Sequence, residues 1–192
     1  TLLGQNVNAY GRDLGGETDF ASLLRAVCAI DGDFIVRFMT SHPKDATEAL
    51  FAAMRDCQKC EKHLHLPLQS GSDRILKAMN RHYDSEKYLA QVDKLREYVP
   101  DVVLTTDIIV GFPGETDEDF AILRDFLSEA RLDAVGVFAY SDEDGTEAVE
   151  MTDKVDVDVI ERRRSELATL VEDLAAERAQ DRVGSTVAVL IE

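Results

Sequence analysis

Residues Val102 to Val110 form a run dominated by β-branched side chains, stopped at once by Gly111-Phe112-Pro113-Gly114. Such a run reads as a buried strand ended by turn-formers. The segment behind it places Phe120, Leu123, Phe126 and Leu127 at helical spacing, which predicts a helix over 117–130, and Ala134 to Tyr140 then returns to strand character. An antiparallel neighbour needs only a tight turn, whereas a parallel one needs a crossover of a dozen or more residues. The pattern therefore predicts two parallel strands joined by a helix.

The same alternation runs through the preceding residues. Leu2 to Val7 reads as a strand, Asp19 opens a helix reaching about Ile30, and Phe34 to Met39 reads as a second strand. A helix holding Leu50, Phe51 and Met54 follows, then a strand from Lys62 to Leu66 ended by Pro67, a short helix over 73–79 and a longer one over 85–98. Repeated strand and helix predict an α/β fold with a parallel sheet, doubly wound or curled into a barrel. In either form ligands bind at the carboxyl ends of the strands. The segments placed there are Gln5, Asn6 and Asn8; Ser41 and His42; Gln69, Ser70 and Ser72; Gly111 to Gly114; and Tyr140, Ser141 and Asp142. Beyond Thr146, Asp158 to about Gln180 reads as one long helix, and Ser185 to Glu192 as a new strand. These shifts divide the chain into 1–150, 151–182 and 183–192.

Charge is unevenly spread. Residues 1–100 carry 14 acids and 13 bases, while residues 101–192 carry 24 and 8, so nearly all of the net charge of -17 lies in the second half. A polyanion would meet the first half, where Lys59, Lys62, Arg74, Lys77, Arg81 and Lys87 gather. The bland alternative is a solvated acidic surface, and Arg162-Arg163-Arg164 reads in the same way as the solvated face of a helix. No apolar run approaches the roughly 18 residues of a membrane span, and no signal-peptide pattern opens the chain, so a cytoplasmic protein with no membrane partner is expected. Three cysteines fit a reducing compartment better than a disulfide scaffold.

Each candidate site also has a plainer reading. The glycines at 111 and 114 let backbone approach a ligand, or simply turn the chain into a helix capped by Asp117. Gln69 and the serines offer donors for ribose hydroxyls, or Ser72 caps the next helix. His63 and His65 share one face of a strand and suit a ligand pair. The bland reading has His65 hydrogen-bonded at the sheet mouth and His63 in solvent. Asp107 inside a strand needs a partner whatever its role. Cys57-Gln58-Lys59-Cys60 is one unpaired Cys-x2-Cys and Cys28 lies on an apolar helix face, so no metal site is assigned to them.

Four ordered segments carry a family resemblance: Leu3 to Gly11, Ser41-His42-Pro43, His65 to Ser72 and Asp107 to Thr116. Over essentially its whole length the chain resembles the methylthiotransferase family of radical S-adenosylmethionine (SAM) enzymes. The first three segments look like the tRNA-modifying, MiaB-like branch, which adds a methylthio group to isopentenyladenosine beside the anticodon. Val135 to Ala148 looks like the RimO-like branch, which modifies an aspartate of a small-subunit ribosomal protein. The charge break near residue 100 falls between them, as in a composite. The resemblance implies a partial (β/α) barrel missing its first strand, with the C-terminal residues starting an RNA-binding TRAM domain. It also implies S-adenosylmethionine and iron–sulfur clusters as cofactors of the full-length parent. The Cys-x3-Cys-x2-Cys loop that holds the cluster in this family is not in the chain, and a cluster of this kind needs its thiolates, so the chain alone is expected to be inactive.

Carried over position by position, the resemblance implies that Gln5, Asn6, Ser41, Gln69, Ser70, Gly111, Phe112 and Pro113 bind cofactor and that His42, His65 and Tyr140 face substrate. The implied partner is tRNA, or alternatively the small ribosomal subunit protein, with self-association through the open barrel edge. A non-catalytic barrel that binds a nucleotide or a partner is the reading from a different class.

Overall fold

The computed structural model describes residues 1–15, 18–39 and 41–186. Three strands, β1 (His63–His65), β2 (Val103–Val110) and β3 (Ala134–Ala139), form a parallel sheet in that order, with His65 beside Thr105 and Asp107 beside Gly136. Single parallel bridges extend it: Leu2 pairs with Phe38, and Val36 with Cys60. Spatial order thus follows chain order throughout. A doubly wound sheet reverses its order at a switch point, and this one does not. It is the arc of a barrel, with helices outside.

Helices α1 (Phe20–Cys28), α2 (Glu48–Asp56), α3 (Asp73–Ala78), α4 (Ser85–Tyr98) and α5 (Asp117–Ala130) are the crossovers. Along β2 burial alternates strictly. Leu104, Thr106, Ile108 and Val110 are buried against helices, while Val103, Thr105, Asp107 and Ile109 are half-buried on the inner face. A final helix, α6 (Val157–Asp181), lies across β3 and against α5, with Ile160, Leu167 and Val171 in the core.

Two expected strands shrink. Leu2–Val7 pairs only at Leu2 and then winds into a 3-10 turn over Val7–Ala9, and Phe34–Met39 pairs only at Val36 and Phe38. Their apolar residues still pack, Val36 and Phe38 being almost fully buried, so the periodicity reports burial rather than a full hydrogen-bond ladder. Helix α5 starts with Thr116 as its cap, not Asp117. Thr116 accepts from the Asp119 amide, and Asp119 returns the bond to the Thr116 amide. Ser72 makes no side-chain cap to α3 and instead donates to Asp119 Oδ1 at 2.7 Å. From residue 187 onward the expected C-terminal strand lies outside the described residues.

Candidate functional site at the carboxyl ends of the strands

The strand ends are held open by side chains that satisfy backbone which would otherwise be orphaned. After β1 the chain leaves the sheet at Pro67, and hydroxyls take over its carbonyls. Tyr88 Oη donates to Leu66 O at 2.7 Å, and Tyr83 Oη to Pro67 O at 3.1 Å and Leu68 O at 3.0 Å. Thr106 Oγ1 donates to Leu66 O and accepts from the Leu68 amide, both at 2.8 Å. Burial pushes the Tyr83 phenol up to about 12, so it stays a donor. This scaffold delivers Gln69 in the left-handed region, φ 73°, with its backbone bridged to Ile108. A non-glycine residue there is strained, and such residues concentrate at functional sites.

The first two strand ends are tied to each other. Asn8 Oδ1 accepts from the His42 amide at 3.0 Å, and Asn8 Nδ2 donates to His42 O at 3.2 Å. Asn6 Nδ2 donates to Asp45 Oδ2 at 2.6 Å, and Arg12 pairs with the other oxygen of the same buried carboxylate. Asn6 Oδ1 and Ser41 Oγ are buried without a partner among the described residues. A buried polar atom left unpaired is costly, so the chemistry of both suits hydrogen bonding to a ligand at the mouth. His42 packs edge-on to Tyr83, and burial followed by the charges of Lys44 and Arg81 lowers its pKa below the usual histidine value.

Two adjoining cavities lie at the other end of the mouth. One, of about 480 Å³, is bordered by Gln69, Asp107, Ile109, Phe138, Tyr140 and Glu143 among others. The second, of about 290 Å³, is bordered by Arg81, Ile109, Phe112, Tyr140 and Met151. Phe112 and Tyr140 meet edge to face, their centroids 5.4 Å apart. Gln69, Phe112 and Tyr140 are therefore brought together. Asn6, Ser41 and His42 form a separate group across the mouth, and Gln5 is exposed beside them. Ser70 is buried and accepts from the Ser72 amide, and Pro113 is buried in the turn.

Gly111 serves the fold directly. At φ 79° its amide donates to Glu115 Oε1 at 3.0 Å, and a Cβ would collide with Ile160 of α6, so this amide is already committed. Glu115 is paired in turn with Arg163 at 2.7 Å, both almost wholly buried, and Arg163 also reaches Asp117. Burial raises the Glu115 pKa against the pull of the Gly111 amide and Arg163. The expectation that all three arginines at 162–164 are solvated is thus corrected for Arg163. On α6 its position faces the turn after β2, where a buried carboxylate needs a cation.

On the inner face, His63 Nε2 and His65 Nδ1 both lie 3.0 Å from Thr105 Oγ1, and His65 Nε2 is 3.3 Å from Asp107 Oδ2. His63 is half-buried and bonded, not solvated as expected, and burial lowers its pKa. Thr105 and Asp45 were not singled out from the sequence. Their partners lie about 40 residues away, beyond any local pattern. Among the described residues no group of three or more His, Cys, Asp or Glu side chains converges as a metal site. The Cys60 thiol is buried and pushed up to about 12, which makes it inert, and burial also raises Cys28.

Residues 2–127 match the Radical SAM superfamily model. The chain is 52% identical, over all 192 residues, to the tRNA-2-methylthio-N(6)-dimethylallyladenosine synthase of Alkaliphilus oremlandii, and 49% identical to the enzyme of that name from Caldicellulosiruptor saccharolyticus. It spans 41% of the length of each. Among solved structures it is similar to coproporphyrinogen III oxidase (HemN) from Escherichia coli. The TM-score is 0.62 at 18% identity, over 81% of this chain and 37% of that one. It is also similar to the archaeal Elp3 of Methanocaldococcus infernus, with TM-score 0.53 at 17% identity, over 83% of this chain and 36% of that one. The parallel arc, the crossover helices and this match over most of the sequence lead to one conclusion: the chain belongs to the radical SAM superfamily.

Proposed function

We propose that this chain is the barrel portion of a radical SAM methylthiotransferase that adds a methylthio group to isopentenyladenosine in tRNA. The observation that carries this is an identity of about 50%, over all 192 residues, with relatives bearing that name. The two cavities and the orphaned Asn6 Oδ1 and Ser41 Oγ suit a ligand with an aromatic ring at one end and hydrogen-bonding groups at the other, as S-adenosylmethionine has. Asn6 and Ser41 would hold the polar end, Gln69 a ribose hydroxyl and Phe112 the ring, with Tyr140 packed edge-on to Phe112 on the substrate side. When bound, such a cofactor would supply radical chemistry at otherwise unreactive positions. The chain's own residues position and shield that chemistry. Cluster binding is assigned to the parent enzyme.

A second reading keeps the chemistry and changes the substrate. The excess of acids in residues 101–192, 24 against 8 bases, suits a basic ribosomal protein by electrostatic complementarity. The test uses the longest reading frame containing this chain, reconstituted with iron and sulfide without oxygen and given S-adenosylmethionine and a reductant. Isopentenylated tRNA and small ribosomal subunits serve as alternative substrates. A methylthio mass gain on tRNA adenosine is expected, and gain only on the ribosomal protein would overturn the tRNA assignment.

Self-association belongs to the same proposal. The open edge is the one that a missing first strand would leave beside Leu2, which pairs only with Phe38 among the described residues. Light scattering should show dimers or larger species, and a clean monomer at about 100 µM, a concentration at which even weak contacts with Kd near 1 µM would be filled, argues against it.

A further inference from the structure

We propose that Cys28 and Cys57 form a redox-active dithiol, which a low-molecular-weight disulfide oxidises to a bond between the ends of α1 and α2. Cys28 is the last residue of α1, and Cys57 caps the C-terminus of α2. These two helix ends are already held together. Arg25, one turn before Cys28, pairs at 3.0 Å with Asp56, the neighbour of Cys57, and Lys59 Nζ donates to Ile30 O. Both cysteines are half-buried and border one cavity of about 420 Å³ with Arg25, Asp56, Gln58 and Lys59. The two thiols therefore share a single opening to solvent.

Sequence spacing points to a different pair, Cys57 with Cys60, which has the form of a redox Cys-x2-Cys. The structure disfavours it. Cys60 is 3% exposed, its Sγ donates to Glu61 O at 3.4 Å, and burial pushes its thiol up to about 12, so it supplies little thiolate. Cys28 has Cys57 as its neighbour instead. Burial raises the Cys28 pKa, followed by the charge of the Cys57 thiol and a hydrogen bond to it, while Lys59 and Lys62 pull it back down. Cations beside a thiol favour the reactive thiolate. Among the described residues no third side chain completes a metal site with the pair, so the arrangement suits thiol chemistry.

One thiolate attacks the small disulfide and expels one small thiol; the second cysteine loses its proton, attacks the mixed disulfide and expels the other. The two cysteines give up two protons and two electrons, and the small disulfide takes up both. The bond lies away from the strand ends. Asp19, Phe20, Thr47 and Leu50, at the opposite ends of α1 and α2, border a different cavity together with Asn8. Oxidation thus clamps the two helices without entering the candidate site, as suits a pair that senses oxidant.

The test takes the full chain, reduced and then freed of reductant, and incubates it with glutathione disulfide. Remaining thiols are blocked with N-ethylmaleimide, and the digested chain is mapped by mass spectrometry. A cross-link between Cys28 and Cys57 is expected, with Cys60 alkylated only after unfolding. Cys60→Ser should keep the cross-link. Cys28→Ser and Cys57→Ser should each abolish it and leave glutathione on the surviving partner, and either variant serves if the other fails to fold. Because the bond closes a loop of about 30 residues, oxidation should raise the Tm of the unsubstituted chain by roughly 5–10 °C, and of neither serine variant. A Cys57–Cys60 bond, a bond between chains, glutathione adducts with no internal bond, unchanged alkylation of Cys28 and Cys57, or a cross-link that does not raise Tm overturns the proposal. None of these readouts needs cofactor or turnover, so failure of methylthio transfer leaves the dithiol standing.

Discussion

Thr105 has one hydroxyl proton and two imidazoles on its oxygen, which fixes a direction. His65 Nε2 faces a carboxylate at 3.3 Å and so carries its proton there, which leaves Nδ1 bare to accept from Thr105. The Thr105 oxygen is then free to accept from His63 Nε2–H. Protons thus point from His63 through Thr105 and His65 to Asp107, and burial helps keep His63 neutral. Thr105→Val should unlock both tautomers and cost about 1 kcal/mol, whereas Thr105→Ser should restore them. With four histidines in the chain, imidazole nitrogen shifts read this directly, and unchanged shifts in Thr105→Val refute it. Asp119 gives a pH signature. Burial opposes its ionisation, but bonds from Arg74, Thr116 and Ser72 win and hold it well below the usual carboxylate range. A depressed folded pKa contributes stability above the unfolded value, about 3.9, and loses it as pH falls towards the folded value. Asp119→Asn should therefore cost about 2–3 kcal/mol at pH 7, and the gap in denaturant midpoints should narrow below about pH 4. The sequence made His65 and Tyr140 visible because they sit at strand ends. It hid Thr105 and Asp119 because their roles come from partners on other elements.

Helix α6 is joined to the turn after β2 by one buried charge pair. Removing Arg163 leaves Glu115 buried, ionisable and holding the Gly111 amide, so Arg163→Ala should destabilise by about 3–5 kcal/mol. Replacing both partners together, Glu115→Gln with Arg163→Met, should recover much of that loss in urea unfolding, because no uncompensated charge remains. A double variant as unstable as Arg163→Ala alone would show that packing, not charge, dominates. At this scale the sequence was legible wherever an element is two-sided. Helix α5 runs over Asp117–Ala130 as expected, and β2 begins within a residue of the expected strand. Legibility failed at Leu2–Val7 and Phe34–Met39, where apolar residues reach the core but the backbone pairs at single points. It failed also at Arg163, since a run of arginines looks solvated until the facing carboxylate is known.

Across the whole molecule the basic cluster of the first half turns out to be largely spoken for. Lys62 is spent on the carbonyls at the end of α2, Lys59 on Ile30 O, Arg74 on Asp119 and Gly114 O, and Lys87 on Asp84. Formal charge counted along a sequence therefore overstates what an RNA backbone would meet, since cations already paired release fewer counterions. The acidic second half adds repulsion. If this portion contacts tRNA, it does so through base and shape more than through phosphate. The full chain should bind an anticodon stem-loop weakly, with a slope of log K against log salt smaller in magnitude than about 2, equivalent to two or three phosphate contacts. Fluorescence anisotropy between about 50 and 200 mM salt measures this slope. A slope steeper than about 5 would mean that the paired lysines and arginines exchange their internal partners for phosphate, and that the front half is an electrostatic surface after all.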